Sequence, residues 1–230
     1  VDGARETITA NAFGTPQTMD VAIRENWSGI FSAHPWLSGP ADTYLGYWKK
    51  GGGAMCEHSH GISLWQELAR HMGQGRVVEV NATLDIVKDG TIEYDRLAFL
   101  TLTTETGFVG RVVQDVVTLP VKLGATIQCA DGSLELVKGA TKEGDLLRWQ
   151  LVDGESQERF FAKKRPDDFH RETMHIDDLL SGRVTIGDSP VALNRGMETM
   201  MIVAAAFRSH AEKRPVRIDW SAGFSPSALN

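Results

Sequence analysis

Val77-Val78-Glu79-Val80-Asn81-Ala82-Thr83-Leu84, followed by Asp89-Gly90 and by the run Leu97 to Thr103, reads as strand, turn, strand. The runs are rich in β-branched and aliphatic residues, and Asp-Gly between two such runs is a hairpin signal. The same grammar continues downstream. Thr106-Gly107 turns the chain into a strand over Val109 to Leu119. Ala125 to Cys129, the turn Asp131-Gly132 and Leu134 to Val137 form a further hairpin, and Leu146 to Val152 and Arg159 to Ala162 are shorter strands. Then the pattern changes. Pro166-Asp167-Asp168 opens a helix that runs to about Leu180, with proline in the first turn and acids at the positive end of the helix dipole, and Gly182 closes it. A helix from about Leu193 to Glu212, rich in Met and Ala, packs on the sheet with Met197, Met200 and Met201 as core, and Val216 to Asp219 is a last strand. Strands grouped together and helices grouped apart predict an α+β fold, not an alternating one.

Upstream of the strands, Ile62, Trp65, Ala69 and Met72 recur at spacings of three and four, which predicts one helix over about Ala54 to Met72 with an apolar stripe, ended by Gly73 and Gly75. Residues 32 to 53 hold Pro35, Gly39, Pro40, Gly46 and Gly51-Gly52-Gly53, the composition of a long ordered loop anchored by His34-Pro35-Trp36, Tyr44, Tyr47 and Trp48. Residues 5 to 31 alternate loosely and predict one or two strands ending near Trp27, with Thr7-Ile8-Thr9-Ala10 strand-like.

No repeat, low-complexity tract or linker divides the 230 residues, so they read as a single domain, 1-230, large enough to bury roughly 70% of its unfolded surface. Hydrophobic content of 42% with 23% charged residues is that of a globular protein. A net charge of -6 with acids and bases mixed argues against nucleic acid or an anionic membrane as partner. No apolar run approaches the roughly 20 residues that span a bilayer. Two cysteines, Cys56 and Cys129, are too few for a disulfide framework and fit a reduced, cytoplasmic setting. The opening Val1-Asp2-Gly3-Ala4, with no initiator Met and no signal peptide, fits a processed protein or a chain lacking an N-terminal portion.

The chemistry concentrates in Gly51-Gly52-Gly53-Ala54-Met55-Cys56-Glu57-His58-Ser59-His60-Gly61. The glycines permit positive φ or close approach of backbone to a ligand. Glu57 and His60, three apart, share a face of the expected helix and can address one substrate, while His58 points about 200° away. A carboxylate beside an imidazole is a workable proton relay. The same pair is equally compatible with tying the loop to the sheet. On a helix His58 and His60 diverge; on a strand they would share a face, and a zinc-dependent lyase or isomerase would become credible. Gly51-Gly52-Gly53 lacks the G-x-G-x-x-G spacing of a dinucleotide fingerprint, and neither a P-loop nor G-x-S-x-G is present. Cys56 fits a small buried hydrophobe better than a nucleophile. His34 and Trp36 offer a stacking wall for a sugar ring or a loop anchor; Lys49 can meet an anionic group or stay solvated.

The order of elements and the segment Gly51 to Trp65 resemble the C-terminal domain of the Gfo/Idh/MocA oxidoreductases, one branch of which reads roughly G-G-G-x-x-x-D-x-S-H-E-x-D. Ser59 and His60 match that pattern; Glu57, Gly61 and Ser63 stand where it has Asp, Glu and Asp. Gly132-Ser133-Leu134-Glu135 resembles a family strand, and Leu193 to Asp219 its closing helix and strand. The resemblance implies a large open, predominantly antiparallel mixed sheet with helices on one face, the architecture shared with glyceraldehyde-3-phosphate-dehydrogenase-like enzymes. It implies a partner Rossmann domain, absent from this chain, that binds NAD or NADP and supplies a catalytic lysine, so that the 230 residues alone are inactive. It implies hydride transfer to or from a sugar, cyclitol or related polyol, with His60 and Glu57 catalytic, His34, Trp36, Lys49 and His58 at the substrate, Gly52 and Gly53 at the cofactor, and no metal. A homodimer or homotetramer through the sheet follows, as does the alternative of a non-catalytic assembly module of the same fold.

Overall fold

The computed structural model describes residues 1-164 and 166-230, with the side chain of Asp188 also outside the description. In chain order the elements are α1 (Asp2–Ala10), β1 (Pro16–Asn26), α2 (Ser28–Ala33), α3 (Gly53–Glu57), α4 (His60–His71), β2 (Val77–Asp89), β3 (Ile92–Thr104), β4 (Val109–Asp115), β5 (Val117–Cys129), β6 (Gly132–Thr141), β7 (Gly144–Leu151), β8 (Gln157–Ala162), α5 (Asp167–Leu180), α6 (Leu193–Glu212) and β9 (Val216–Arg217). The strands form one nine-stranded sheet in the order β8-β7-β6-β5-β1-β4-β3-β2-β9. Among the described residues only the β1–β4 pair of strands is parallel, in register from Thr18 opposite Val109 to Arg24 opposite Asp115; the other pairs are antiparallel. The α+β class read from the sequence, with its open, mostly antiparallel sheet, is the observed one.

Three expectations are corrected. Thr7-Ile8-Thr9-Ala10 belongs to α1, not to a strand. Ala4 and Thr7 are buried one turn apart, and Gly3 lets the Phe161 ring lie against the helix, so tertiary packing overrides the β-leaning residue types. Val109 to Leu119 is two strands that flank β1 on opposite sides. The break at Val116 is held by Asp115, whose carboxylate accepts the N–H groups of Val117 and Thr118 and the Thr118 hydroxyl. The expected single helix over 54 to 72 is two helices, α3 and α4, parted at His58-Ser59.

The core follows from strand alternation. Met19, Val21 and Ile23 of β1, Leu100 and Leu102 of β3, and Ala125 and Ile127 of β5 all point to the face on which α3, α4 and α6 pack. Trp65 of α4 is fully buried there and its indole N–H donates to the Met19 carbonyl at 3.3 Å. Gly110 makes this approach possible: a Cβ at that position would lie 2.7 Å from the Trp65 indole nitrogen. Phe99 and Val109, each 43% exposed, belong to the alternate positions that face away from the helices. No helix among the described residues is long and apolar enough to cross a membrane.

Trp65→Ala opens a large void at this contact and is expected to cost about 3–5 kcal/mol of stability, read as a lowered midpoint in urea unfolding.

Candidate active site

The triglycine turn is built against the sheet. Gly51 has φ +88° and ends a 3-10 turn over Trp48–Lys50. Gly52 is pressed on the carbonyls of Tyr44 and Leu45, and Gly53, at φ +81°, on Asp95, whose Oδ1 would stand 2.1 Å from any Cβ there. Both Gly52 and Gly53 are buried against the chain's own atoms, and a side chain at either position would collide with them. Asp95 is fully buried; one carboxylate oxygen accepts the Met55 N–H at 2.6 Å and the other has no partner. Gln114 donates to the carbonyls of Ala54 and Met55 at 2.9 and 3.2 Å.

This anchoring sets the direction of each candidate side chain. The Tyr44 hydroxyl donates to Glu57 at 2.6 Å, and that bond is the main reason the Tyr44 hydroxyl is pushed up to about 12. His58 is buried, with Nδ1 3.3 Å from Glu25 and Nε2 unpartnered. Desolvation lowers its pKa against the opposing pull of Glu25 and Glu57, which favours the neutral ring. Burial, then the charges of Asp95 and Glu57, pushes the Cys56 thiol up to about 11, so it is no nucleophile at neutral pH. His34 donates from Nδ1 to the Ile30 carbonyl at 2.7 Å and meets the Trp36 ring edge-on at 5.1 Å, while Trp36 is 73% exposed. Lys49 lies over Trp48, which stacks on Phe207 of α6.

His60, the first residue of α4, is exposed and lines a cavity of about 400 Å³. Ile23 and Leu136 of the sheet line it together with α1, α4 and the first turns of α6. That volume lies within the range of small-ligand sites. Glu57, His58, His34, Trp36 and Lys49 are not among its lining residues, so the structure does not gather the six expected side chains into one cleft. The break between α3 and α4 is the reason: the helical step that was to join Glu57 to His60 is interrupted. Among the described residues no group of three His, Cys, Asp or Glu is placed to hold a metal ion.

Sequence reading missed the opposite wall. Arg195, Glu198 and Thr199 of α6 line the cavity, Glu198 pairs with Arg70, and Thr199 donates to Gln66 at 2.8 Å. Their spacing of three and four, on a helix otherwise rich in Met and Ala, is the signal: a polar stripe where an apolar one is expected.

No protein-family model and no curated protein matches the chain. Solved structures do. An aldose-aldose oxidoreductase from Caulobacter crescentus, complexed with glycerol, aligns with a TM-score of 0.71 at 16% identity over 94% of this chain and 59% of its own. A levoglucosan dehydrogenase in complex with NADH and levoglucosan aligns at 0.71 and 15% identity over 93% and 62%. The chain has the fold of the C-terminal domain of Gfo/Idh/MocA-type oxidoreductases. An oxidoreductase from Agrobacterium radiobacter, in complex with NAD+, L-tartaric acid and magnesium, aligns at a TM-score of 0.67 and 18% identity, over 94% and 60%. The chain therefore spans about three fifths of the length of these structures.

Asp95 titrates in a testable way. Burial pushes its carboxyl up to about 7, against the pull of the N–H groups of Met55 and of Asp95 itself. A carboxyl that holds its proton more tightly when folded contributes its stability in full at acid pH and loses it as the pH rises from about 4 to about 7. Asp95→Asn keeps an oxygen for the Met55 N–H and removes that loss. Urea unfolding at pH 5 and pH 8 is expected to show a smaller drop in stability for the variant than for the parent.

Proposed function

We propose that this chain is the substrate-binding domain of an NAD(P)-dependent oxidoreductase that moves hydride between the nicotinamide and a hydroxyl or carbonyl carbon of a sugar, cyclitol or related polyol. His60 carries the reading: an exposed imidazole at the head of α4, opening on a cavity of substrate size. The fold supports it, since solved examples include enzymes bound to NADH and to a sugar. The nicotinamide supplies a two-electron hydride acceptor or donor, and a Rossmann domain outside these 230 residues holds it. Within the chain, His60 takes the hydroxyl proton as a carbinol is oxidised and returns it in the reverse direction. Glu57, fixed by Tyr44, is a positioning charge behind the helix break. His34, Trp36 and Lys49 lie on the loop outside this cavity and are proposed to reach the substrate only from its far side, and buried His58 supports the turn. The free thiols of Cys56 and Cys129 fit a cytoplasmic protein in this reading.

The sheet face that carries Phe99 and Val109 is read as the contact between copies in a homodimer or homotetramer. Phe99→Lys is expected to lower the mass measured by sedimentation equilibrium; an unchanged mass would remove that face from the assembly.

The central test is on the complete protein. Titration with NADH and with NADPH is expected to show binding of at least one, and absence of both ends the assignment. His60→Ala is expected to leave that binding intact and to lower kcat by about 10²–10⁴-fold, the range for loss of a general acid-base group. Unaltered turnover would remove His60 from the chemistry and favour a non-catalytic role for the domain.

A further inference from the structure

We infer that the cavity beside His60 takes a substrate bearing an anionic group, a carboxylate or phosphate ester on a sugar or polyol, and that Arg195 is the residue that grips it. The inference rests on the function proposed above and names the chemical class of its substrate.

Four basic side chains line the cavity: Arg5, Arg70, Lys138 and Arg195. Two of them are compensated. Arg5 lies 3.3 Å from Glu67, and Arg70 pairs with Glu198 and reaches Glu67 at 3.7 Å. Asp145, also on this wall, accepts the Gly139 N–H at 2.7 Å and forms no ion pair with Lys138. Arg195 and Lys138 have no carboxylate partner among the described residues. They belong to different walls, Arg195 to the first turn of α6 and Lys138 to β6.

Arg195 is the more telling of the two because its Nε is buried and makes no hydrogen bond. A buried donor without an acceptor is unfavourable, and more so when it is charged. Its guanidinium is a planar fork whose donors match the two oxygens of a carboxylate or phosphate. A neutral polyol hydroxyl can satisfy one N–H but leaves the Arg195 guanidinium without an ion-pair partner. An anion supplies both, and it draws the substrate across the cavity toward His60, since the imidazole and the guanidinium line the same space.

Calorimetric titration of the complete protein with D-gluconate, D-sorbitol 6-phosphate and neutral D-sorbitol tests this. At least one anion is expected to bind about tenfold or more tightly than sorbitol, as a charge-assisted bidentate contact predicts. Whichever anion wins identifies the group. Arg195→Gln is expected to abolish that preference without changing the response to sorbitol. Arg195→Lys should restore it only in part, because the charge returns without the fork. Lys138→Gln, on an exposed strand position, guards against a folding defect in the helix variants and should weaken the same anion several-fold. Equal affinity for the three probes, no binding of either anion at about 10 mM, or an unchanged preference in Arg195→Gln would each overturn the inference. NADH binding on the same samples keeps the two proposals apart. Anion binding through Arg195 without NADH binding keeps this site and removes hydride transfer; NADH binding without anion preference does the reverse.

Discussion

The carboxylate of Asp95 meeting the backbone N–H of Met55 fixes the position of everything that follows it in the chain. The bond fastens the first turn of α3 to β3, and Gln114 of β4 fastens the adjacent carbonyls of Ala54 and Met55 from the neighbouring strand. Donor and acceptor groups of one helical turn are thus both held by buried side chains of the sheet. A buried hydrogen bond of this kind is worth about 0.5–1.5 kcal/mol net, and removing one partner costs more because the other is left buried and unpaired. The requirement for Gly53 follows from the same contact, since its φ of +81° and its missing side chain let Asp95 come that close. A polar clamp inside an apolar layer locks one register of helix on sheet, which is what a site on the next turn needs.

The cavity is a consequence of how α4 and α6 meet. Below it the two helices share the apolar core through Trp65, Leu68, Ile202 and Ala206. Above it they exchange polar contacts, Gln66 to Thr199 and Arg70 to Glu198. Long charged side chains span a wider gap than Leu or Ala, and it is this polar stripe that lines the cavity. The partly buried carboxylates of Glu67 and Glu198 are tolerable because Arg5 and Arg70 stand beside them. His60 comes at the rim of this gap because α4 starts there.

Much of the fold was legible because the sheet is built from local hairpins. Asp89-Gly90 and Asp131-Gly132 mark turns that the structure contains, joining β2 to β3 and β5 to β6. The clamp was not legible, because nothing in Asp95's own neighbourhood of sequence distinguishes a buried aspartate from a solvated one. The α3–α4 break escaped for a related reason: the apolar stripe through Ile62, Trp65 and Ala69 runs past it, and the buried pairing of His58 with Glu25 of β1 is a long-range contact. The site was readable on one wall only. The glycine-rich turn announces itself by composition, whereas Arg195 looks like an ordinary helix-start arginine until α6 is seen to lie against α4. The resemblance carried the architecture and left the second wall of the cavity unnamed.

The central position of β1 has a kinetic consequence. Its parallel partner begins 91 residues further along, as the bond from the Thr18 hydroxyl to the Val109 carbonyl records. The β2–β3 hairpin and the meander from β5 to β8 can each zip from a tight turn, because their partners are neighbours in sequence. Neither half can be joined to the other until β1 has closed a long loop and slid between β4 and β5, and that closure costs entropy before any contact repays it. Seating β1 between β4 and β5 therefore takes two long loop closures. It is these closures that lock in place the strand carrying Ile23 to the cavity floor.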